Sequence, residues 1–255
     1  METLTLDEIR QAHRVLAEFT YDLQPVQYGY ANRTLYIDLS TNTIRSKPVT
    51  QQMKDVFTGG KGFCLWLLWN ATKPTTRWDD PENEIVIAGG PIGGITAYPG
   101  SGKSTVVTIS PLTDSVIDSN AGGYFGPYLK FSGWDALEVQ GIAERDVIIV
   151  IDGDEGRVTI EEAPLEDINT HLIGRQLTEM YARDERDKRS VSVVSTGQGA
   201  EYSRYAGLNF SWYDVRRKEV RVKQAGRGGS GRVFRHKRIK AIVVRYSQMR
   251  GDSNH

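Results

Sequence analysis

Cysteine is almost absent from the sequence, and this limits the chemistry that the chain can perform alone. Cys64 is the single cysteine among 255 residues, so no disulfide can form within the chain. An iron–sulfur cluster takes about four thiolates, so this chain cannot hold one by itself. Cys64 lies in the apolar run 63–69, where a buried structural thiol is the expected role.

Residues that usually mark an active site are also scarce. The four histidines have no neighbours at the spacing of metal ligands, so no metal site built from His or Cys side chains is expected. No nucleophile elbow is present, and adjacent carboxylates such as Asp79 and Asp80 are typical of a solvated surface. We therefore assign no catalytic residue from the sequence.

Net charge, long apolar runs and a secretion signal are missing as well. Lysine plus arginine and aspartate plus glutamate each number 32, which argues against a general nucleic-acid or membrane-surface binder but leaves room for a local patch. No apolar run approaches the ~20 residues of a membrane span. The acidic start, residues 1–8, has no signal-peptide core. We expect a soluble cytoplasmic protein without a membrane span.

Glycine, in contrast, is abundant, with 26 residues. One glycine-rich stretch, 118–133, runs from a polar turn through Gly122 and Gly123 into an apolar, helix-compatible segment. A second glycine and arginine loop, 225–231, lies near the C-terminus. Such loops expose backbone N–H groups to anions and let a bulky ligand approach the main chain. Two of them predict a large, phosphate-bearing cofactor with more than one charged end.

The hydrophobic pattern mixes hairpins with isolated helices, which predicts an α+β fold with mixed or antiparallel sheets and flanking helices. Thr5 and Glu8 form a capping-box pattern that predicts a helix to about Phe19, followed by an extended linker over 21–27. Further helices are expected over 63–70 and 171–183. Strands are expected over 33–39, after the turn at 40–43, and over 85–89, 103–110, 135–141, 147–151, 158–160, 190–195 and 241–245. This divides the chain into a helix and linker (1–29), an α+β domain (30–246) and a polar tail (247–255).

Residues 97–104 match the looser form of a nucleotide-binding phosphate loop. That chemistry needs a strand, a loop of inward N–H groups and then a helix whose N-terminus faces the phosphates. Residues 104–111 are β-branched and end at proline, which predicts a strand instead of the helix. Lys103 is nevertheless a candidate for contacting a phosphate or carboxylate.

Both glycine-rich loops have plainer interpretations. Residues 120–123 offer an amide side chain and a helix start, but an ordinary helix cap without a ligand is the alternative. Residues 225–229 contain the Arg-Gly-Gly pattern of RNA-binding segments and precede the basic stretch 232–240. Because the pattern is not repeated and a buried strand follows, a structured anion-binding loop is favoured over a nucleic-acid tail. A glycine turn before a cationic helix is the remaining alternative.

Taken in order, several pieces resemble the N-terminal domain of the aldehyde:ferredoxin oxidoreductase family of tungsten enzymes, from about Tyr30 to Tyr246. The resembling pieces are residues 59–62, 80–83, 88–93, 106–113, 118–133, 225–231 and 239–244. The resemblance implies that the chain forms the base for tungsten, or less often molybdenum, bound by two pyranopterins whose phosphates are bridged by magnesium. It also implies two later helical domains that supply the cysteines of a [4Fe–4S] cluster. The implied substrates are aldehydes or related compounds, and the implied electron acceptor is ferredoxin or an electron-transfer subunit.

The resemblance carries over to individual residues unevenly. Asn120, Gly122 and the adjacent Gly123 match the first cofactor loop, and Gly226 and Arg227 match the second. Lys103 stands where the family usually has a pterin-binding arginine, so the charge is kept but the planar fork for bidentate contact is lost. Lys223 and Gln224 replace a usual Arg-Ala pair. Magnesium is expected to bind backbone carbonyls of Asn120 and Gln224.

The sequence also departs from the family. Residues 211–221, which include Arg216, Arg217 and Lys218, leave its pattern and are interpreted as an added loop for a partner. The chain ends where the helical domains should begin, and its polar tail suits a natural end. We therefore expect the cofactor-binding subunit of a divided enzyme, inactive alone, with a cysteine-bearing helical subunit as partner. Two alternatives are a fragment of a longer chain and a non-catalytic module that kept the fold without the cofactor.

Overall fold

The computed structural model describes residues 5–163 and 169–248, which form two mixed β-sheets and six α-helices. The predicted α+β fold is thus confirmed. No helix in these ranges is long and apolar enough to cross a membrane. The helices are α1 (Leu6–Gln11), α2 (Gln51–Phe57), α3 (Lys61–Ala71), α4 (Phe125–Phe131), α5 (Thr170–Tyr181) and α6 (Ser230–His236). The strands are β1 (Arg14–Thr20), β2 (Arg33–Asp38), β3 (Thr43–Pro48), β4 (Ile85–Ala88), β5 (Ser104–Ile109), β6 (Val116–Ala121), β7 (Ala136–Gln140), β8 (Val147–Asp152), β9 (Arg157–Glu162), β10 (Val191–Ser195), β11 (Leu208–Asp214), β12 (Glu219–Ala225) and β13 (Ile239–Arg245).

The two sheets place two particular edge strands side by side. The seven-stranded sheet has the order β1-β9-β8-β13-β10-β11-β12, and the six-stranded sheet has the order β3-β2-β7-β4-β5-β6. Pairing is parallel between β8 and β13 and between β2 and β7, and antiparallel between the other neighbours. Strands β6 and β12 are therefore edges of different sheets, and they contact each other.

Apolar residues on both sheets build the core between them. Ile37 and Ile87 of one sheet share a buried cluster with Ile149, Phe210 and Ile242 of the other. Because neighbouring strand residues point to opposite faces, Ile148 and Val150 instead join a cluster beneath α5. Helix α3 covers the outer face of the six-stranded sheet with Phe63 and Leu67. Runs such as 147–151 are apolar throughout because they are buried on both faces.

The predicted N-terminal helix is wrong beyond its first turns. The capping box forms, since Glu8 N donates to Thr5 Oγ1 (3.3 Å) and Thr5 N donates to Glu8 Oε2 (2.7 Å). Helix α1 ends at Gln11, and β1 then pairs with β9 along 14–20. A short isolated helix is marginal in water, whereas the free edge of a sheet offers backbone partners and lets Phe19 pack on the core. The division at residue 29 stays a prediction.

Two further segments differ from expectation. The stretch 118–133 is expected to begin as a polar turn, but residues 118–121 belong to β6, which is antiparallel to β5. The interpretation of 211–221 as an added loop is wrong in structural terms, because β11 and β12 form a hairpin that turns at 215–218. Both segments gain backbone hydrogen bonds along a sheet, which outweighs their weak local strand signal. Most of the predicted tail, 249–255, lies outside the described residues.

Cys64 gives a direct test of this packing. Its side chain lies on the face of α3 that packs against the six-stranded sheet and is fully buried, with Sγ 3.7 Å from the carbonyl oxygens of Val86 and Thr105. Burial raises the pKa of the thiol well above its usual range, and a protonated, inaccessible thiol is a poor nucleophile. Under native conditions we expect no labelling of Cys64 by a thiol reagent over an hour, and full labelling in denaturant. Mass spectrometry checks this, and rapid native labelling would contradict the described packing.

Candidate functional site

The candidate site lies where the two edge strands end in glycine-rich loops. Strand β6 leads into Gly122 and Gly123, and β12 leads into 226–229. Because β6 and β12 contact each other, the two loops predicted from the sequence come together at the meeting edges of the sheets. An edge strand leaves part of its backbone N–H and C=O groups unpaired by the sheet, so main-chain donors and acceptors are available here.

Arg227 joins the two loops directly. Its backbone N donates to Ser119 Oγ (3.2 Å), and its Nε donates to the carbonyl oxygen of Asp118 (3.2 Å). One guanidinium nitrogen lies 3.5 Å from Asp118 Oδ2. The Arg227 side chain is still 71% exposed, so it is held in place while most of its charge faces solvent.

Asp118 links this pair to a third segment. Lys61, the first residue of α3, donates from Nζ to Asp118 Oδ1 (2.9 Å). The hydrogen bond from Lys61, with the charges of Lys61 and Arg227, holds the pKa of the Asp118 carboxyl below its usual range. Two cations thus share one carboxylate, which leaves a surplus positive charge on this surface.

The glycines of the site fall into two groups. A Cβ atom built on Gly122 or Gly123 would meet no atom within 4 Å, and one on Gly226 would meet only Gln224 Cβ, at 3.9 Å. The main chain is therefore open to a ligand at these positions. In contrast, a Cβ on Gly228 would lie 2.6 Å from Cγ1 of Ile117, and the residue has φ +77°. Gly228 serves the packing between loop and strand.

A cleft of about 480 Å³ adjoins these loops. Gly123 and Lys223 line it together with Tyr124 and Trp212, whose rings meet edge to face at 6.2 Å. The loop 94–102 forms the opposite wall. A Cβ on Gly102 would lie 2.2 Å from the carbonyl oxygen of Gly123, so the segment before Lys103 packs tightly on the first cofactor loop.

The structure therefore brings the predicted site residues together. Lys103 and Lys223 are exposed, and within residues 5–163 and 169–248 neither side chain has a hydrogen-bonding or ion-pair partner. Gln224 is exposed on β12, and Asn120 is exposed on β6, where its Oδ1 accepts a hydrogen bond from Thr105 Oγ1 (3.0 Å). The arrangement offers open main chain and free positive charge, which suits an anionic group.

The sequence interpretation of this site needs one correction. Asn120 does not cap a helix, because it lies inside β6, and α4 begins only at Phe125 with Tyr124 as its N-cap. Helices α4 and α6 have seven residues each, too short for a strong dipole. Binding would rest on strand-end backbone groups and side-chain cations instead of on helix N-termini.

Sequence reasoning assigned no role to Lys61, Asp118 or Trp212. The glycines around Lys61, at 59, 60 and 62, were a usable signal, since such a cluster marks a close backbone approach. Gly60 N indeed donates to Gly89 O (2.8 Å). Nothing local marked Asp118 or Trp212, because their importance comes from segments far away in sequence.

The structure bears on the phosphate-loop and nucleic-acid interpretations. Residues 104–109 form β5, between β4 and β6, so the helix that a nucleotide-binding phosphate loop requires is not there. Within the basic stretch, Arg235 Nε donates to Glu201 (2.8 Å) and Lys237 Nζ donates to the buried carbonyl oxygen of Gly141 (3.0 Å). These cations hold the fold together and do not form a nucleic-acid tail.

Open main chain on two adjoining loops, with free cations beside it, makes this surface of the α+β domain a candidate site for an anionic group. The family described as "Aldehyde ferredoxin oxidoreductase, N-terminal domain" matches residues 34–246, so the chain belongs to this family. The tungsten-containing aldehyde ferredoxin oxidoreductase of Pyrococcus furiosus is 34% identical over 224 residues, which cover 87% of this chain and 34% of that protein. The corresponding enzyme of Thermococcus kodakarensis is 33% identical over 224 residues, with the same coverages.

Other relatives are named as parts of assemblies. The "Aliphatic sulfonate oxidoreductase, WOR-like subunit" of Pyrococcus furiosus is 26% identical over 234 residues, covering 86% of this chain and 35% of that protein. A solved structure, the active-site complex BamBC of benzoyl coenzyme A reductase with 1,5-dienoyl-CoA, matches with a TM-score of 0.73 at 26% identity. This match covers 86% of the chain and 31% of the other chain. The chain thus spans about a third of the length of its relatives.

The two kinds of glycine can be separated by matched substitutions. Gly228→Ala would force a left-handed residue and a clash with Ile117, so we expect it to lower the free energy of unfolding by about 2 kcal/mol or more. In Gly122→Ala the new Cβ would have no atom within 4 Å, and the backbone is not left-handed. We therefore expect the free energy of unfolding to change by less than about 1 kcal/mol. Urea denaturation measures both variants. Equal losses of stability would contradict the assignment of Gly122 to an open cradle.

Proposed function

We propose that the chain is the cofactor-binding part of a tungsten or molybdenum bis-pyranopterin oxidoreductase, with the iron–sulfur and catalytic helical domains on another polypeptide. The observation that carries the proposal is the junction of the two loops through Arg227, Ser119 and Asp118. It gives one continuous surface on which two phosphate-bearing ligands can be held side by side. Family membership supplies the tungsten pterin chemistry.

The residues present fit such a group. A pterin phosphate needs charged donors and close main-chain approach, and Arg227, Lys103 and Lys223 supply the charge while Gly122 and Gly226 leave the backbone uncovered. A magnesium ion between two phosphates needs oxygen ligands. Main-chain carbonyls of Asn120 and Gln224, on the contacting strands β6 and β12, are the proposed ligands.

This chain binds and orients the cofactor but carries no redox group of its own. When bound, the metal–pterin group would supply two-electron chemistry on aldehydes or related substrates. Lys103 and Lys223 act as point charges, which hold a phosphate with less directional restraint than an arginine fork. Tyr124 and Trp212 limit water at one side of the cleft. The acid and base groups of the reaction are expected on the other polypeptide.

The proposed division rests on the single cysteine and on the relatives. The chain spans about a third of the curated relatives, and its one cysteine is buried, so cluster ligands must come from elsewhere. One relative is named as a subunit, and a structural neighbour is named as a complex. We infer a cysteine-bearing helical partner and ferredoxin or an electron-transfer subunit as acceptor, in the cytoplasm.

Arg227 offers the sharpest test of cofactor binding. Arg227→Met removes a charged phosphate contact, worth about 1.5–3 kcal/mol, so tungsten or molybdenum and pterin in the purified complex should fall roughly tenfold or more. Arg227→Lys keeps the positive charge, so part of the metal and part of the pterin should remain bound. Arg175→Met, at an arginine 72% exposed on α5, is the matched control. Elemental analysis and the fluorescence of oxidised pterin provide readouts that do not depend on activity.

The outcomes separate the candidate functions. A complex without tungsten, molybdenum or pterin, even from metal-supplemented cells, would favour the non-catalytic module. Full cofactor content in Arg227→Met would contradict the role of the second loop. Unfolding measurements on each variant distinguish lost binding from lost folding.

The inferred partner gives a separate prediction. We expect the tagged chain, isolated from its native cells, to bring down a helical polypeptide with at least four cysteines. The complex of the two should contain about four iron atoms, the content of one [4Fe–4S] cluster. The chain alone should contain no iron, because it has a single buried thiol. Recovery of the chain as a stable monomer without any partner would contradict the division.

A further inference from the structure

A basic concavity lies away from the cofactor loops, at the tip of the β11–β12 hairpin. It has a volume of about 390 Å³ and lies between the turn at 215–218 and the 3₁₀ turn Asp187–Ser190. We call this surface the hairpin-tip patch. Its lining residues are Glu185, Arg186, Arg189, Tyr213, Val215 and Lys218.

The charges of this patch are only partly neutralised within the part of the chain that the structure describes. There, Arg186, Arg189 and Lys218 form no ion pair with a carboxylate, although the charge of Lys218 helps to lower the pKa of the Glu185 carboxyl. The one lining carboxylate, Glu185, already accepts from Tyr213 OH (2.6 Å) and lies 2.7 Å from Lys188 Nζ. Three lining cations against one carboxylate leave a local positive surplus on a chain with zero net charge, which indicates a surface that meets negative charge elsewhere.

The neighbouring Asp214 does not cancel this surplus. Its carboxylate pairs with Arg217 (2.9 Å) and lies 3.6 Å from Arg221. It also accepts from the backbone N of Arg216 and Arg217 (3.0 and 3.2 Å), which fixes the turn. The Tyr128 hydroxyl donates to the carbonyl oxygen of Arg189. Both walls of the patch are therefore held in place before any partner arrives, and such preorganisation lowers the cost of binding.

Part of the patch is apolar. Val215 is 59% exposed, and Tyr213 also lines the patch, although most of its surface is buried. An exposed apolar residue together with arginines is typical of protein interfaces. Nucleic-acid binding would need aromatic faces on which bases stack, but Tyr213 is the one lining aromatic and its ring is covered.

We propose that the hairpin-tip patch docks an acidic segment of a partner polypeptide, with an apolar side chain of that segment on Val215. The three cations give charge complementarity, and the fixed turn gives shape. This inference goes beyond cofactor binding and uses none of the residues assigned to it.

The test uses the binary complex rebuilt from the purified chain and the polypeptide that co-purifies with it, identified by mass spectrometry. The double variant R186E/R189E should raise Kd at least tenfold at 50 mM NaCl, with the difference shrinking at 300 mM as charges are screened. The matched control, K73E/R175E, makes the same change in charge at exposed residues outside the patch, and should alter Kd less than twofold. Hydrogen exchange should show protection at 185–189 and 213–218, and cross-links should reach acidic partner residues.

Several results would overturn the proposal. These are equal effects of the two double variants, protection confined to other surfaces, a partner contact without acidic residues, or occupation of the patch by nucleic acid or a second copy of the chain. If no polypeptide co-purifies, the docking proposal and the divided enzyme both fail. If a tungsten-loaded complex forms and R186E/R189E binds normally, only the docking proposal fails.

Discussion

The arrangement of the molecule depends on the contact between two edge strands that belong to different sheets. β6 and β12 contact each other without joining their sheets into one. The glycine-rich loops that follow the two strands therefore lie next to each other. The hydrogen bonds of Arg227 to Ser119 and Asp118 fasten this junction. Ser110 Oγ adds a bond to the carbonyl oxygen of Gly228 (2.8 Å), and the second loop is thereby held by both strands β5 and β6.

Free sheet edges are usually a liability, because unpaired N–H and C=O groups attract other strands. In this domain the edge strands β6 and β12 carry several polar residues and contact each other. The glycines of the two loops have two different roles. Gly228 and Gly229 take left-handed conformations and pack against Ile117 and Arg204, while Gly122 and Gly226 leave space. The same residue type thus serves packing at some positions and ligand access at others.

Much of the fold follows from local sequence, and most of the missed strands lie at sheet edges. The predicted strands around Ile87, Ile149 and Val243 are confirmed, because their apolar, β-branched runs suit strands buried on both faces. The strands β1, β6, β11 and β12 were missed; β1, β6 and β12 are sheet edges, whereas β11 lies between β10 and β12. An edge strand has one neighbour and a largely exposed face, so its residues carry little of the hydrophobic pattern on which sequence prediction rests.

The same reasoning applies to the candidate site. The eight proposed cofactor residues were found from glycine loops and a family resemblance, since these are local patterns. The role of Asp118 was not predictable, because Lys61 and Arg227 are 57 and 109 residues away from it. Only the tertiary packing of α3, β6 and the loop after β12 brings both cations to one carboxylate.

A balanced overall charge conceals an uneven distribution. Arg245 is buried and paired with Asp152, Asp154 and Asp187, and Arg235 is paired with Asp146 and Glu201. Carboxylates that are paired with these structural arginines are not available to neutralise Lys103 and Lys223. Because a charge left in water binds anions weakly until the surroundings exclude solvent, these lysines alone would hold a phosphate loosely. Covering the cleft with a second polypeptide would lower the local dielectric constant and strengthen every such contact, so cofactor retention and partner binding should be coupled.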